Sequence, residues 1–188
     1  MLQNDNKWLS RILLGSVVVI VMVMLLLLPK GKDGLPTLTP ESPYPYLVYY
    51  CKEQGDNVVV EGLKPQDTVA EALPDKQLLR KAVKHLLAGP TEAETGKGYY
   101  SEIPAGTKLL SIKGGVENAP FRVNLSEAFR EGGGSTTMRL RLEQMTKTVL
   151  STRIEGPVYL DVEGEPLDVL GGEGVEVDKP LNQGKDAA

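Results

Sequence analysis

The hydrophobic positions of this chain begin as one unbroken run and then break into short runs and stripes. Ile12 to Leu28, ILLGSVVVIVMVMLLLL, holds no charge, amide or proline. As a helix rising ~1.5 Å per residue it covers ~26 Å, close to the hydrocarbon core of a bilayer, and Trp8 extends it into the interface. A cleaved signal peptide, with Lys7 and Arg11 as its basic end, is the rival reading. The run is longer than the usual apolar segment of such a peptide and ends in PKGKDGLP, without a small-x-small cleavage site, which favours an uncleaved anchor. Residues 1–11 then read as a short cytoplasmic tail, 12–28 as a transmembrane anchor, and 29–43, rich in Pro, Gly and Thr, as a linker.

Beyond the linker the period changes. YLVYYC (46–51) and NVVVE (57–61) are aromatic and β-branched, and KEQGD between them predicts a hairpin. Pro74-Asp75 opens a helix with Asp75 placed to cap its free amides. Leu79, Val83 and Leu86, flanked by Leu78, Ala82 and Leu87, make the apolar stripe of that helix, and Gly89-Pro90 ends it. The connection PTEAETGKGYYSEIPAG, about 17 residues, exceeds the usual loop length and reads as functional or mobile. TKLLSIK and FRVNL follow as two strands. A second helix carries Met138, Leu142, Met145 and Val149 on one face, with Arg139, Arg141, Lys147 and Thr148 elsewhere on its surface. PVYLDV and PLDVL, turned by EGE, are the last strands. From Gly171 the sequence trails into a polar tail, with the domain taken as 44–182 and residues 183–188 as disordered. The order predicts an α+β fold, an antiparallel or mixed sheet with two helices packed on one face, preceded by one N-terminal transmembrane helix.

Charge narrows the partners. The chain has 21 basic and 25 acidic residues; removing Lys7, Arg11, Lys30 and Asp5 leaves 18 against 24, a net of −6 beyond residue 30. The sequence is read as holding no basic stripe to bind a phosphate backbone, so nucleic acid is not expected as a partner. Lys7 and Arg11 before the apolar run balance Lys30 and Lys32 after it, so charge does not orient the anchor. The lone Cys51 cannot form an intrachain disulfide or a CxxC site and reads as a small buried apolar residue. It does not follow the apolar run directly, as a lipidated cysteine would.

One stretch invites a chemical reading. VNLSEAFREGGGSTT (123–137) sets three glycines and several hydroxyls before a helix, where free amides favour anions. The phosphate-loop spacing fails, because Gly89 and Gly96-Lys97 are separated by six residues and Gly98 stands at the hydroxyl position. The dinucleotide pattern fails as well, since Thr137 occupies the place of its third glycine. The stretch reads as a helix start, with Val123, Leu125 and Phe129 as core anchors and Ser135 or Thr136 as cap. His85 is the single histidine and lacks a nucleophile or orienting acid nearby in sequence. Asp161, Glu163 and Glu165 alternate and could share one hairpin face around a cation, but without the spacing of a calcium loop. Asn124 begins a short glycosylation pattern, NLS. Tyr44, Tyr46, Tyr49, Tyr50, Tyr99 and Tyr100 suit either a partner surface or a sheet core. No catalytic, cofactor-binding or metal-ligating residue is assigned, and no cofactor is expected.

The order of LLAGPTEAETGKGYYSEIPAGTKLLSI, VNLSEAF, GGGS, an amphipathic helix, VYLDVEGEPL and DKPL resembles the GerM domain, a family named for sporulation and spore germination, across roughly residues 45–182. The resemblance implies an extracytoplasmic domain tethered to a bacterial plasma membrane, N-terminus inside, without established catalytic residues. It also implies likeness to the ring-building modules of envelope machines. This chain departs from the family's two-copy lipoprotein form: it has one copy, an apolar anchor and no lipidation cysteine, and Met138 where relatives carry an acid. The expected function is a non-enzymatic protein-interaction or assembly module, acting on an envelope protein or on itself. The alternative is a binding domain for a cell-wall glycan such as peptidoglycan, or for a small ligand, using the loop 89–106 and the tyrosines. An enzyme built on Asp161, Glu163, Glu165 or His85 is the third reading.

Overall fold

Val48–Gln54 (β1) and Asn57–Leu63 (β2) form the expected hairpin, paired antiparallel from Gln54↔Asn57 to Val48↔Leu63. The strands run through most of KEQGD, so only Gly55 and Asp56 turn, and Gly55 at φ 63° supplies the positive φ a two-residue turn needs. This computed structural model describes residues 45–66, 73–117, 119–172 and 174–183. The expected tail 1–11, anchor 12–28 and linker 29–43 lie outside the described residues, as do Tyr44 and residues 184–188. All described residues fall in one unit, Ser42–Ala188, and none of their helices is long and apolar enough to cross a membrane.

Asp75–Ala88 is the first helix, α1, and buries Leu78, Leu79, Ala82, Val83 and Leu86, the stripe its period predicts. Asp75 is its first helical residue and not its cap. Pro74 holds the cap position, and the Pro74 carbonyl accepts from the amides of Gln77 and Leu78. An acid in the first turn still favours the helix through its dipole.

The long connection after α1 is built, not open. Thr91 and Glu94 form a reciprocal capping box around the short helix α2, Glu92–Thr95. Tyr99–Tyr100 (β3) then pairs with β1 at Cys51↔Tyr100, giving a sheet in the order β2-β1-β3.

Leu109–Lys113 (β4) and Phe121–Leu125 (β5) pair antiparallel, with a register irregularity between Leu109 and Ser111. After a 3-10 turn at Glu127–Arg130, Ser135–Ser151 forms α3. Val158–Val162 (β6) returns parallel to β5, since α3 provides the crossover that parallel pairing requires. Glu165–Pro166 (β7) completes a sheet in the order β4-β5-β6-β7, and Val169–Leu170 (β8) pairs with Val175–Glu176 (β9). The single sheet expected is therefore three. The helices pack against each other and both touch β1; α3 also reaches β2, and its Thr148 and Ser151 side chains meet the main chain of Tyr49 and Leu47.

The core joins Tyr46, Val48, Tyr50, Leu79, Leu86, Val123, Leu125, Phe129, Met145, Val149 and Leu160. The polar tail is shorter than its composition suggests. Val177 and Leu181 are buried, and Asn182 accepts from the Val158 amide at 3.0 Å and donates to the Ile154 and Gly156 carbonyls.

Candidate functional site

The most built feature is a polar seam along α3. Arg141, Gln144, Thr148 and Ser151 recur at helical spacing and are all buried. On the side of β1 away from β2, β3 pairs only with Cys51 and Lys52, and a buried main-chain group without a partner costs free energy. Three side chains of α3 supply the partners. Ser151 Oγ accepts from the Leu47 amide at 3.0 Å and lies 2.9 Å from its carbonyl. Thr148 Oγ1 accepts from the Tyr49 amide at 3.1 Å. Gln144 Nε2 donates to the Tyr49 carbonyl at 3.0 Å, while its Oε1 accepts from the Glu102 amide at 2.9 Å. Arg141 and Thr148, expected on the surface, are thus buried because the sheet edge demands polar partners.

Arg141 also decides the fate of the glycine stretch. Its guanidinium donates to the carbonyls of Glu102 at 3.0 Å, Phe129 at 2.6 Å and Gly132 at 3.1 Å. Burial lowers its pKa from the ordinary value, and among the described residues no carboxylate pairs with it. Gly132 and Gly133 adopt φ of 64° and 88°, which folds the loop back over this cation. The loop presents carbonyls to a guanidinium, the reverse polarity of a phosphate cradle. Gly134, not Ser135 or Thr136, occupies the cap position of α3, and no side chain caps it. Val123, Leu125 and Phe129 are fully buried, as anchors should be.

The other singled-out residues do not converge. His85 is half-buried, with Nδ1 2.7 Å from the Tyr46 hydroxyl, and its carbonyl accepts from the Tyr50 hydroxyl at 3.0 Å. Asp161 is buried and takes both Nε and Nη2 of Arg122, a pairing that holds the guanidinium pKa up. Glu163 accepts from the Glu127 amide at 2.9 Å, and Glu165 is exposed on β7. Among the described residues no three His, Cys, Asp or Glu side chains are placed to hold a metal ion. Asn124 is engaged, its Oδ1 accepting from the Gly164 amide at 2.8 Å. Tyr46, Tyr50 and Tyr99 are buried, and the Tyr99 hydroxyl donates to Glu61 at 2.8 Å, so these rings serve the interior.

A surface cleft of 560 Å³ opens between α3 and the segment from Glu176 to Leu181. Leu142, Val177, Pro180 and Leu181 give it apolar wall, and Arg139, Glu143, Glu176, Asp178 and Lys179 line it with charges of both signs. Thr146 completes the α3 wall. Val177 and Leu181 are isolated apolar residues without a period, and nothing in the sequence around them marks them as buried.

A family model described as Germane, sporulation and spore germination, matches residues 47–168. No curated protein matches the chain. Among solved structures, the first GerMN domain of the sporulation protein GerM from Bacillus subtilis aligns with a TM-score of 0.53 and 17% identity, covering 73% of this chain and 96% of that one. A candidate lipoprotein from Clostridium perfringens aligns at 0.47 and 24% identity, covering 74% and 86%. The tandem GerMN domains of the same Bacillus subtilis protein align at 0.47 and 14% identity, covering 71% of this chain and 45% of the pair.

Proposed function

The chain belongs to the Germane family, sporulation and spore germination, and from that premise we propose that it is a non-enzymatic interaction module held at a bacterial membrane with its domain outside. The apolar run 12–28 is the tether in this reading, with the N-terminus inside. The observation that carries the interaction role is the cleft beside α3. Its apolar wall and two-signed charged lining match the anatomy of a protein interface, an apolar centre with a polar rim. The occupant is a segment of another envelope protein that carries both charge signs. Arg139 and Lys179 take its acids, and Glu143, Glu176 and Asp178 take its bases.

The test is a pulldown of the full chain from crosslinked membranes, repeated with Thr146→Arg, which fills the cleft wall from a half-buried position. Loss of a stoichiometric protein partner with an unchanged unfolding midpoint supports the reading. Retention of the same partners by the variant removes the cleft from it, and enrichment of the chain on purified peptidoglycan in place of any protein partner overturns it.

A further inference from the structure

We propose that the outward face of α1 docks on an anionic lipid bilayer, a step that rests on the membrane tether proposed above. From Lys76 to Ala88 the helix carries Lys76, Arg80, Lys81 and Lys84 and no acid. Lys76 and Lys84 are exposed and Arg80 and Lys81 half-buried, and none of the four joins an ion pair among the described residues. At ~100° per residue the four cations span an arc of ~140°, opposite the buried Leu79, Ala82, Val83 and Leu86. The face is therefore a basic stripe, which chain totals concealed because the rest of the domain is acidic.

That contrast gives orientation. A domain of net negative charge is repelled by an anionic surface everywhere except where its local charge is positive. Each cation near such a surface adds a modest attraction, so four of them hold a preferred pose without holding a free domain tightly. A tether changes the requirement, because weak attraction becomes intramolecular at high effective concentration. The 17 residues from Leu28 to Pro45 reach at most ~60 Å, which keeps the domain at the surface. The apolar side of α1 is spent in the core, so contact is by headgroup charge and not by insertion.

The experiment places the full chain in nanodiscs of phosphatidylcholine, or of phosphatidylcholine with one-third phosphatidylglycerol, and reads amine labelling of each lysine by mass spectrometry. Labelling of Lys76, Lys81 and Lys84 is expected to fall about three-fold in the anionic discs and to recover at high salt. The exposed Lys108 and Lys113 serve as the unchanged reference. Lys76→Glu combined with Lys84→Glu restores labelling at Lys81, while Lys108→Glu does not. Equal labelling in both discs overturns the proposal, as does protection that appears only when an acidic polypeptide is added to phosphatidylcholine discs. Retention of the chain in phosphatidylcholine discs at high salt reads the tether separately. A chain that is retained but unprotected refutes the face alone. A chain that is not retained, yet is protected when added to preformed anionic discs, refutes the tether and supports the face.

Discussion

Gln144 Nε2 donates to the main-chain carbonyl of Tyr49 at 3.0 Å, across 95 residues of sequence. Through Oε1 it also takes the amide of Glu102 at 2.9 Å, so one side chain spans the gap where β1 and the chain after β3 part. A carboxamide offers a donor and an acceptor, as a strand residue would, and here it replaces a rung of the ladder. Gln144→Leu keeps the volume and leaves both main-chain groups unpaired in the interior. The expected loss is about 2–4 kcal/mol, read from the urea midpoint at unchanged slope. Gln144→Glu retains the acceptor, places a carboxylate against the Tyr49 carbonyl, and is expected to lose a similar amount. A loss below about 1 kcal/mol for the leucine variant would mean that the backbone closes the gap itself.

Arg141 is a buried cation balanced by three carbonyl dipoles, not by an acid. Lysine keeps the charge but cannot match a planar fork of donors. Arg141→Lys is expected to cost about 2–4 kcal/mol by leaving carbonyls unpaired, with faster amide exchange at residues 129–134. Inorganic phosphate should raise the unfolding midpoint of neither form, because the loop turns its carbonyls inward. A phosphate-dependent rise would restore the cradle reading.

The apolar half of this architecture is legible in the sequence and the polar half is not. Leu79, Val83 and Leu86 announce their helix, and Val123, Leu125 and Phe129 their burial, because an apolar residue has one favourable environment. Arg141, Gln144, Thr148 and Ser151 have two. The same residues form a solvated face on a lone helix and a bonding edge beside an unfinished strand, and only the tertiary partner decides. The α1 stripe was legible, as KQLLRKAVKHLLA holds four cations and no acid, but chain-wide totals averaged it away. Parallel pairing of β5 and β6 follows from the crossover helix, which short-connection reasoning passed over.

Gly115 adopts φ 77°, and a Cβ there would lie 2.1 Å from a ring carbon of Phe121, itself buried. Gly115→Ala combines a left-handed backbone with a clash in the core, and the expected loss is about 2–4 kcal/mol. Gly132 is the control. Its φ is 64°, but no atom lies within 4 Å of the added carbon. Gly132→Ala should lose only the backbone contribution, about 1–2 kcal/mol. Equal losses in thermal unfolding would show that the Phe121 ring moves aside without cost.

Cys51 links stability to alkaline pH. It is fully buried, with Sγ 3.5 Å from Gln144 Oε1, and burial, reinforced by Glu102, pushes its thiol up to about 11 from an ordinary 9.0. At neutral pH both folded and unfolded chains hold the proton, so the thiol is without effect. Above pH ~9 the unfolded chain ionises while the folded chain does not, and the balance shifts toward unfolding by about 2–3 kcal/mol by pH ~11. Tyr50, whose hydroxyl is raised chiefly by burial and then by Glu94, adds in the same direction at higher pH. Urea midpoints of the wild-type chain are expected to fall between about pH 9 and 11. Cys51→Ala starts lower at neutral pH because it leaves a cavity, but its midpoint falls less over that window. Parallel slopes for the two chains would assign the alkaline loss to the tyrosines and remove the thiol from the account.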